Sequence, residues 1–197
     1  QAILQRDAFL QSSNGWLEGS FLRSNTFNVL AGQGSKVEQL DFLLLGQKQI
    51  FDINNSAVHI ATDSNSFTQL HAVLFGMARN VFDGMIKILP SGQRTNALLQ
   101  AHSMLLSTTS SSNNIPGLEI EADDVKATHS ASVAQILEEQ VFYLQSRGIK
   151  KEIAKQLIVT SFLESIILKL PKEFGEYAFA LLEKKMAKGI IEGTANA

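Results

Sequence analysis

Within LEIEADDVKATHSASVAQILEEQVFYLQSRG, residues 118–148, one kind of secondary structure gives way to another. Apolar residues alternate with glutamates over residues 118–122, as expected for a strand that buries one face. Farther on, Ser132 stands three residues before Gln135, the spacing of a capping box that would begin a helix. Gly148 follows where such a helix would end, as expected for a left-handed C-terminal cap. The sequence therefore predicts β-structure before this junction and helices after it.

From residue 1 to about residue 127, the sequence predicts many short strands separated by polar corners. The corners contain residues that tolerate turn geometry, at Ser13-Asn14-Gly15, Gly32-Gln33-Gly34, Asn54-Asn55-Ser56 and Thr62-Asp63-Ser64-Asn65. The predicted strands are Ala2–Leu10, Gly19–Leu22, Thr26–Leu30, Gln39–Leu45, Gln49–Asn54, Ala57–Ala61, Thr68–Phe75, Arg79–Val81, Gly84–Ile88, Ala97–Leu106 and Leu118–Lys126.

Two architectures fit this pattern of short strands: a sandwich or barrel, and a β-solenoid. The pairs Asn14-Gly15 and Asp83-Gly84 favour hairpins and therefore antiparallel strands. Against that, apolar residues recur in clusters, and polar corners return before a long strand can form. No strict short repeat is visible, so the residues alone favour the solenoid only weakly and leave both architectures open. The polar segment Ser107–Asn114 is predicted to be an exposed loop between coils.

Three amphipathic helices are predicted after the junction: Val133–Arg147, Lys151–Leu170 and, from about Phe174, a third that ends near Lys188. Their apolar stripes must be buried on one another, on the β part or on a partner. The stripes comprise Val133, Leu137, Val141 and Leu144; Ile153, Ala154, Leu157, Ile158, Phe162, Ile166 and Ile167; and Phe174, Tyr177, Ala178, Leu181, Leu182 and Met186. Residues 193–197 are predicted to be disordered.

Composition excludes several classes of protein. The formal net charge is −2, which does not indicate a general nucleic-acid binder. With no cysteine, this chain supplies no disulfide, cysteine nucleophile or thiolate ligand. No apolar run approaches the roughly 18 residues of a membrane span, and no signal peptide is recognisable, so we expect the cytosol or an organelle stroma. Because the chain begins at Gln1 in apparent mid-strand, we expect a fragment of a longer protein.

The sequence contains no convincing active site. It lacks the GxxxxGK[ST] phosphate loop of ATPases and the GxSxG elbow of hydrolases. Asp123-Asp124 is better explained as a turn or bulge at a strand end, and Glu138-Glu139 as a solvated helix surface. We therefore predict a scaffold or interaction protein and no enzyme. A β-solenoid enzyme that depends on a metal or a sugar would need carboxylates or histidines clustered on one face.

The four histidines form no close pair of metal ligands, such as HExxH or HxH. His59, His71 and His102 are predicted to be structural residues whose rings find hydrogen bonds within strands. His129 is less clear, because it shares a strand face by parity with Val125 and Ala127. It could cap the last coil or face a partner.

Two segments closely resemble the SufB/SufD family of SUF iron–sulfur cluster assembly proteins. Residues 122–149, ADDVKATHSASVAQILEEQVFYLQSRGI, resemble the end of the core domain in the SufD branch, and residues 93–107, QRTNALLQAHSMLLS, match a second family pattern. PGLEIEADD, residues 116–124, joins the two. SufB-like chains usually carry an EHEAT-type sequence at the turn, whereas Lys126-Ala127-Thr128-His129 resembles SufD.

The resemblance implies a mainly β fold with a helical C-terminus: a right-handed parallel β-helix over residues 1–130, truncated at its N-terminus, and a small helical domain over residues 131–197. It implies a SufB-like subunit, or a second copy, as the partner of the β-helix, and a SufC-like ATPase as the partner of the C-terminal helices. It implies no stably bound cofactor and a transient iron–sulfur cluster at the complex interface. A SufB-like paralogue and a homodimeric structural solenoid without cluster function are the alternatives.

The resemblance also selects candidate site residues. His129 matches the motif histidine that the family associates with cluster assembly, and is the candidate metal ligand. Ala127 stands where many members have cysteine, so a thiolate would have to come from the partner. Other departures from the family pattern, at Ala101, Ser103, Ser130 and Ala134, indicate a divergent member. On the first predicted helix, Glu139, Gln140, Tyr143 and Arg147 are the candidates for the ATPase interface.

Overall fold

A computed structural model describes residues 1–193, with side chains through residue 187, as ten strands followed by three helices. The strands are β1 (Ala2–Leu4), β2 (Phe9–Trp16), β3 (Phe21–Leu30), β4 (Lys36–Leu45), β5 (Ile50–His59), β6 (Asn65–Leu74), β7 (Arg79–Ile88), β8 (Asn96–Leu105), β9 (Ser111–Ile120) and β10 (Lys126–Gln135). The helices are α1 (Glu138–Ser146), α2 (Lys151–Ile167) and α3 (Lys172–Gly193).

The strands form two parallel sheets between which the chain alternates. Odd-numbered strands make the odd sheet, in the order β1-β3-β5-β7-β9, and even-numbered strands make the even sheet, β10-β8-β6-β4-β2. Each strand therefore pairs with the strand two places along the chain, so the chain winds as a solenoid. Side chains 27 to 32 positions apart meet across adjacent coils. The predicted β-helix followed by helices is confirmed.

The predicted hairpin corners were wrong, because Asn14-Gly15 lies within β2 and Asp83-Gly84 within β7. Asn54-Asn55-Ser56 likewise lies within β5. Gly15 and Gly84 do not form turns; they allow side chains of neighbouring strands to pack closely against the backbone. A Cβ at Gly15 would lie 2.4 Å from Phe42 Cζ, and a Cβ at Gly84 would lie 2.8 Å from Leu99 Cδ1. Glycine thus makes room for side chains of the neighbouring strands.

Other boundaries also differ from the sequence prediction, and three of them involve polar corners. The predicted strand Ala2–Leu10 is interrupted by a turn in which Asp7 has a φ of 55°. The predicted strand Leu118–Lys126 is two strand ends, with Asp123-Asp124 in the connection between β9 and β10. The second half of the predicted loop Ser107–Asn114 forms the start of β9. In each case polar residues were assigned to the wrong element, either a corner to a strand or the start of a strand to a loop.

One corner of the solenoid is built by residues in the left-handed conformation, Asp7, Gly34, Asp63 and Arg94, one from each successive coil. Backbone bonds join these corners: the N–H of Asp7 donates to Gln33 O at 2.9 Å, and that of Asp63 to Gln93 O at 3.0 Å. Arg94 donates hydrogen bonds to both carboxylate oxygens of Asp63, at 2.6 and 2.7 Å. These bonds lower the pKa of Asp63 well below its usual range. The corners are therefore aligned by both backbone and side chains.

The space between the sheets is mostly apolar, filled by side chains stacked in register from coil to coil. Its largest fully buried members include Leu43, Leu45, Phe51, Ile53, Leu70, Leu74, Phe82, Ile86 and Ile88. His59 lies in this interior, in register with Leu30 and Ile88, and is 0% exposed. Its Nδ1 is 2.8 Å from Ser64 Oγ and its Nε2 is 2.8 Å from Ser66 Oγ. The structural interpretation of His59 is confirmed.

A polar group interrupts the apolar interior near β2. Asp41 is buried there, and its carboxylate accepts hydrogen bonds from the side-chain amides of Asn14, Gln39 and Asn55 at 2.8, 2.7 and 2.6 Å. Burial raises the pKa of Asp41, whereas the three amide donors oppose that rise. Because every donor comes from a fixed strand position, the network favours one relative placement of β2, β4 and β5.

The helices fold back on the outer face of the even sheet. Apolar residues of β4 and β6 meet α2 and α3 there, including Phe42, Leu44, Val73, Leu163, Ile166 and Leu182. His71 stacks on Phe162 with 4.7 Å between ring centroids, and its Nδ1–H donates to Phe162 O at 2.9 Å. Burial is the main reason that the pKa of His71 is lowered. The structural interpretation of His71 is confirmed, since its ring joins the helices to the sheet.

The first helix begins later than predicted. β10 continues to Gln135, so the predicted capping box is wrong, and the predicted division between residues 130 and 131 falls within a strand. Ser132 Oγ lies 2.8 Å from His102 Nδ1 on the neighbouring strand, which satisfies His102 as predicted. Leu137 is the N-cap of α1 and forms no side-chain capping bond. The tertiary ladder of the solenoid overrides the local helix signal.

The end of α1 agrees with the prediction. Gly148 has a φ of 84°, and its N–H donates to Gln145 O at 2.9 Å. The N–H of Ile149 donates to Leu144 O at 3.2 Å, which completes a Schellman motif. Glycine is required at position 148 because any residue with a Cβ atom would be strained in this left-handed conformation.

The predicted apolar stripes are rotated relative to the buried faces. In α1, Val141 is buried but Leu137 is exposed, and Val133 lies in β10. In α2 the buried residues are Ala154, Val159, Leu163, Ile166 and Ile167, whereas Ile153 and Leu157 are exposed. In α3, Ala178, Leu182 and Met186 are buried, but Phe174 and Tyr177 are exposed. Gly193 ends α3, and the rest of the predicted disordered tail lies outside the described residues.

Over the described part of the chain, none of the helices combines the length and apolarity that a membrane span requires.

Replacing His59 by glutamine is expected to flatten the acid dependence of stability. Burial lowers the pKa of His59 from 6.5 to about 4, so the unfolded chain binds more protons than the folded chain between these values. The contribution of His59 is fully present above pH 6.5 and is lost as the pH falls towards 4, by up to about 3 kcal/mol. Urea unfolding at pH 7, 5.5 and 4.5 measures this slope. Equal slopes for the native chain and His59→Gln would contradict the assignment.

Leu163→Ala is expected to lower the free energy of unfolding by about 2–5 kcal/mol, because it opens a cavity between α2 and the even sheet. Leu163 is 0% exposed, whereas Leu157, on the stripe that the sequence predicted, is 46% exposed. Leu157→Ala is therefore the matched control and should change stability by less than about 1 kcal/mol. Chemical denaturation of both variants tests the position of the buried face. A larger loss for Leu157→Ala would refute it.

Candidate functional site

Two edge strands lie exposed at the C-terminal end of the solenoid. Within the described residues, β9 pairs with β7 alone and β10 pairs with β8 alone. One edge of each strand therefore presents backbone N–H and C=O groups without a strand partner. Such an edge can accept another strand.

His129 lies in the middle of β10, at the open end of the interior. It is in register with Leu99, a buried residue of β8, and its neighbours Ala127 and Ala131 are in register with the buried Ala97 and Ala101. The register thus places Ala127 and His129 on one side of the strand, in agreement with the parity argument. Because the described residues add no further coil, the ring of His129 is exposed where a buried residue would otherwise lie.

A polar network lines the interior beside this end. Ser103 Oγ lies 2.9 Å from Ser112 Oγ, and Asn114 Nδ2 donates to the backbone oxygens of Ala101 and Ser132, each at 3.2 Å. Asn114 therefore links β8, β9 and β10. Sequence reasoning missed these residues because it placed Ser112 and Asn114 in a loop. Their two-residue spacing was the signal that they share one face of a strand.

His129 provides an exposed imidazole at this end of the solenoid. Searching the described residues finds no group of three or more histidine, aspartate or glutamate side chains that could hold a metal ion. The exposed His129 can still supply one nitrogen ligand. The cluster of acids or histidines required by the enzyme hypothesis is not found in the same part of the chain.

The second part of the candidate site is the exposed side of α1. Glu139, Gln140, Tyr143 and Arg147 are all exposed, and Arg147 Cζ lies 4.8 Å from the centre of the Tyr143 ring. Glu139, Tyr143 and Arg147 follow one another at four-residue spacing, so they share a side of the helix. We call this set, with Gln140, the α1 surface. The structure thus brings the predicted interface residues together and places them apart from the core.

The anchoring of α1 explains why this surface is exposed. Val141 is its buried residue, and α1 packs on α2. Lys151 Nζ lies 3.7 Å from Glu138 Oε2 and joins the starts of the two helices. Sequence reasoning missed Phe142, which follows Val141 and is 71% exposed. An aromatic side chain next to a buried position was a signal, since a helix turns neighbouring residues to different sides.

Comparison with known proteins identifies the family. Residues 1–162 match the family described as "SUF system FeS cluster assembly, SufBD core domain". The chain is 33% identical over 161 residues to the iron–sulfur cluster assembly protein SufD of Escherichia coli, covering 81% of this chain and 38% of that protein. It is 32% identical over 166 residues to the iron–sulfur cluster assembly SufBD family protein ycf24 of Antithamnion sp., covering 84% of this chain and 54% of the relative.

A third relative is the SufBD family protein slr0074 of Synechocystis, 31% identical over 166 residues, which are 84% of this chain and 34% of that protein. The chain thus spans about a third to a half of the length of these curated relatives. The matched region contains the whole described solenoid, α1 and most of α2. From the match of its parallel solenoid to the core domain, the chain belongs to the SufBD family.

Proposed function

We propose that this chain is a non-catalytic, SufD-like scaffold subunit that takes part in iron–sulfur cluster assembly within a SUF complex. One observation carries the proposal: in the part of the chain that the structure describes, the C-terminal strand of a SufBD core has an edge without a strand partner, and the exposed His129 lies in the middle of that strand. The family match supports the process, and the edge supports a role that requires a second subunit. Because the complex would work where clusters are made, we expect it in the cytoplasm or an organelle stroma.

The partner at the solenoid end is proposed to be a SufB-like subunit. Within the described residues, the edge of β10 without a strand partner offers main-chain hydrogen bonds to a strand of that subunit. The edge of β9 on the odd sheet offers fewer, because Pro116 near its middle has no N–H to donate. Two solenoids joined in this way would extend both sheets across the interface. A second copy of this chain presents the same edges, so homodimerisation is the alternative mode of pairing.

The cluster itself is treated as cargo, and His129 is its proposed point of contact with this chain. An imidazole nitrogen is a suitable ligand for iron. The chain contains no cysteine, and Ala127 occupies the neighbouring inward position, so sulfur ligands would have to come from the partner. The chain would then contribute one nitrogen ligand and the rigid edge that fixes its position. No cofactor would remain bound to the chain after transfer.

The α1 surface is the proposed docking site for a SufC-like ATPase. It combines two charges of opposite sign, those of Glu139 and Arg147, with the exposed ring of Tyr143, and the exposed Phe142 lies next to it on α1. Aromatic residues and arginine are enriched among the residues that dominate binding energy at interfaces. The Tyr143–Arg147 contact orders the arginine before binding, which reduces the entropy lost on association.

SufD-like identity is proposed over a SufB-like paralogue because of the sequence Lys126-Ala127-Thr128-His129, which forms the start of β10 and not a turn. Purification from cells that carry the complete set of SUF genes separates the alternatives. A SufD-like chain should be recovered with both a SufB-like subunit and the ATPase. Recovery of a homodimer without either protein would favour a structural solenoid.

Charge reversal on α1 should weaken ATPase docking. We expect the double variant Glu139→Lys/Arg147→Glu to bind the SufC-like ATPase about tenfold more weakly, about 1.4 kcal/mol, because both charges lose their partners. Phe142→Ala should have an effect of similar size through lost apolar contact. Calorimetric titration measures the affinity, and Glu173→Lys on α3 is the control for a general charge effect. If all of these variants bind the ATPase as tightly as the native chain does, the α1 surface is not part of the interface.

His129→Ala should lower cluster formation while it leaves the fold intact. Since His129 is exposed, we expect its removal to change the free energy of unfolding by no more than about 0.5 kcal/mol. Iron and acid-labile sulfide in the co-expressed complex should fall severalfold. Thr128→Ala changes the adjacent exposed residue on the other side of β10 and should retain the native cluster content. A normal yield with His129→Ala would exclude the proposed ligand role, even if pairing with the SufB-like subunit were confirmed.

A further inference from the structure

An open groove of 810 Å³ runs between α3 and two connections of the solenoid. Its walls are the connection at residues 17–20, between β2 and β3, and the connection at residues 46–49, between β4 and β5. Tyr177, Leu181, Lys184 and Lys185 line it from α3. We call it the α3 groove. Neither the terminal strand edge nor the α1 surface contributes to it.

Lysines dominate the charge of the α3 groove. Lys48, Lys184 and Lys185 line it together with a single carboxylate, that of Glu18. None of the three lysines forms a salt bridge with a carboxylate of the described residues. The groove therefore carries an uncompensated positive charge on a chain whose overall charge is −2. A ligand with several negative charges would supply the missing partners.

Hydrogen bonds hold Lys185 in place. Its Nζ donates to Gln49 Oε1 at 2.9 Å, and the same oxygen accepts the backbone N–H of Gly46 at 2.9 Å. Gln49 Nε2 donates to Gly19 O at 2.6 Å. Gln49 therefore joins the 17–20 and 46–49 segments and fixes Lys185 between them. Burial lowers the pKa of Lys185 to about 8, because its ammonium group is partly dehydrated, and the nearby carboxylate of Glu18 opposes this shift only in part.

The α3 groove continues into an apolar part. A second depression of 330 Å³ shares Leu17, Tyr177 and Leu181 with it and extends to Phe174. Phe174 and Tyr177 are both largely exposed. From Phe174 to Lys185 the combined groove follows α3 for about 16 Å, at 1.5 Å per residue. One end thus offers aromatic and aliphatic contacts, and the other offers ammonium groups.

We infer that the α3 groove binds an acidic peptide segment of a partner protein, with its carboxylates at Lys184 and Lys185 and an apolar side chain at Phe174 and Tyr177. The length and open shape suit an extended chain segment, because a small ligand would leave most of the groove in contact with water. Opposite charge supplies specificity and speeds association. Three lysines on an acidic chain favour a peptide over a nucleic acid, whose binding requires a broader basic surface.

The test uses a fluorescein-labelled peptide, Glu-Glu-Leu-Glu-Phe-Glu-Glu, and its glutamine counterpart, with binding to the purified chain measured by fluorescence anisotropy. The acidic peptide should bind at least tenfold more tightly than the glutamine peptide at low salt. Its affinity should fall at 0.5 M salt, because surface charges are then screened. Equal binding of the two peptides would overturn the inference. Tighter binding of a single-stranded DNA oligomer would overturn it as well.

Matched variants locate the binding site. Lys184→Glu changes an exposed residue and should weaken binding about tenfold without unfolding the chain, which circular dichroism checks. Tyr177→Ala should weaken binding severalfold. Lys36→Glu changes an exposed lysine at the start of β4, at the opposite end of that strand from the 46–49 connection, and should leave binding unchanged. Equal loss with Lys36→Glu would indicate non-specific attraction and reject the groove.

A pH series tests Lys185 itself. Between pH 7 and pH 9 the native chain should lose affinity as Lys185 loses its proton, while Lys185→Arg should retain it. The charged groups that face Lys185 are Glu18 and Lys48 on the two connections and Lys184 on α3. An equal loss in both proteins would contradict a direct contact with Lys185. If sedimentation shows that Lys184→Glu abolishes self-association and the peptide does not compete, a second copy is the occupant and the inference fails.

Discussion

Each coil of this solenoid must return its backbone to hydrogen-bonding register with the coil before it. The parallel strands cannot satisfy their N–H and C=O groups within a coil, so the spacing of the corners determines whether the ladder forms. Asp7, Gly34, Asp63 and Arg94 turn the chain at equivalent points, and their aligned positions keep the strands in register. The stacked core, the platform for the helices and the terminal edge with His129 all depend on this return.

The sequence predicted the presence of strands and helices well, but it misplaced their boundaries for one physical reason. In a parallel solenoid, asparagine and glycine occur inside strands wherever a neighbouring coil needs space or an interior hydrogen bond, as Gly15 and Asn55 show. Local turn propensity cannot distinguish such residues from corners. The same limit explains the capping box, since Ser132 satisfies His102 across the ladder and β10 extends through it.

The candidate site was predictable where it depended on motif and parity, and not where it depended on packing. The position of His129 on the inward side of a strand follows from its spacing from Ala127. The roles of Asn114 and Phe142 depend on which faces other coils and α2 cover, and single-sequence periodicity does not contain that information. The α3 groove is a further example, because Lys185 and Gln49 are 136 positions apart and meet through tertiary structure.

The edges of β9 and β10 that have no strand partner in the described residues also affect how much of this protein can accumulate before it aggregates. A long unpaired edge is a template for uncontrolled strand addition, and no proline or bulge of the β10 sequence blocks it. Copies of this chain whose edge stays uncovered would therefore be prone to aggregate or to be removed by proteases. If a second subunit covers the edge, the amount of that subunit determines how much of this chain escapes aggregation and proteolysis. The balance between subunits would then be enforced after synthesis, by the structure itself.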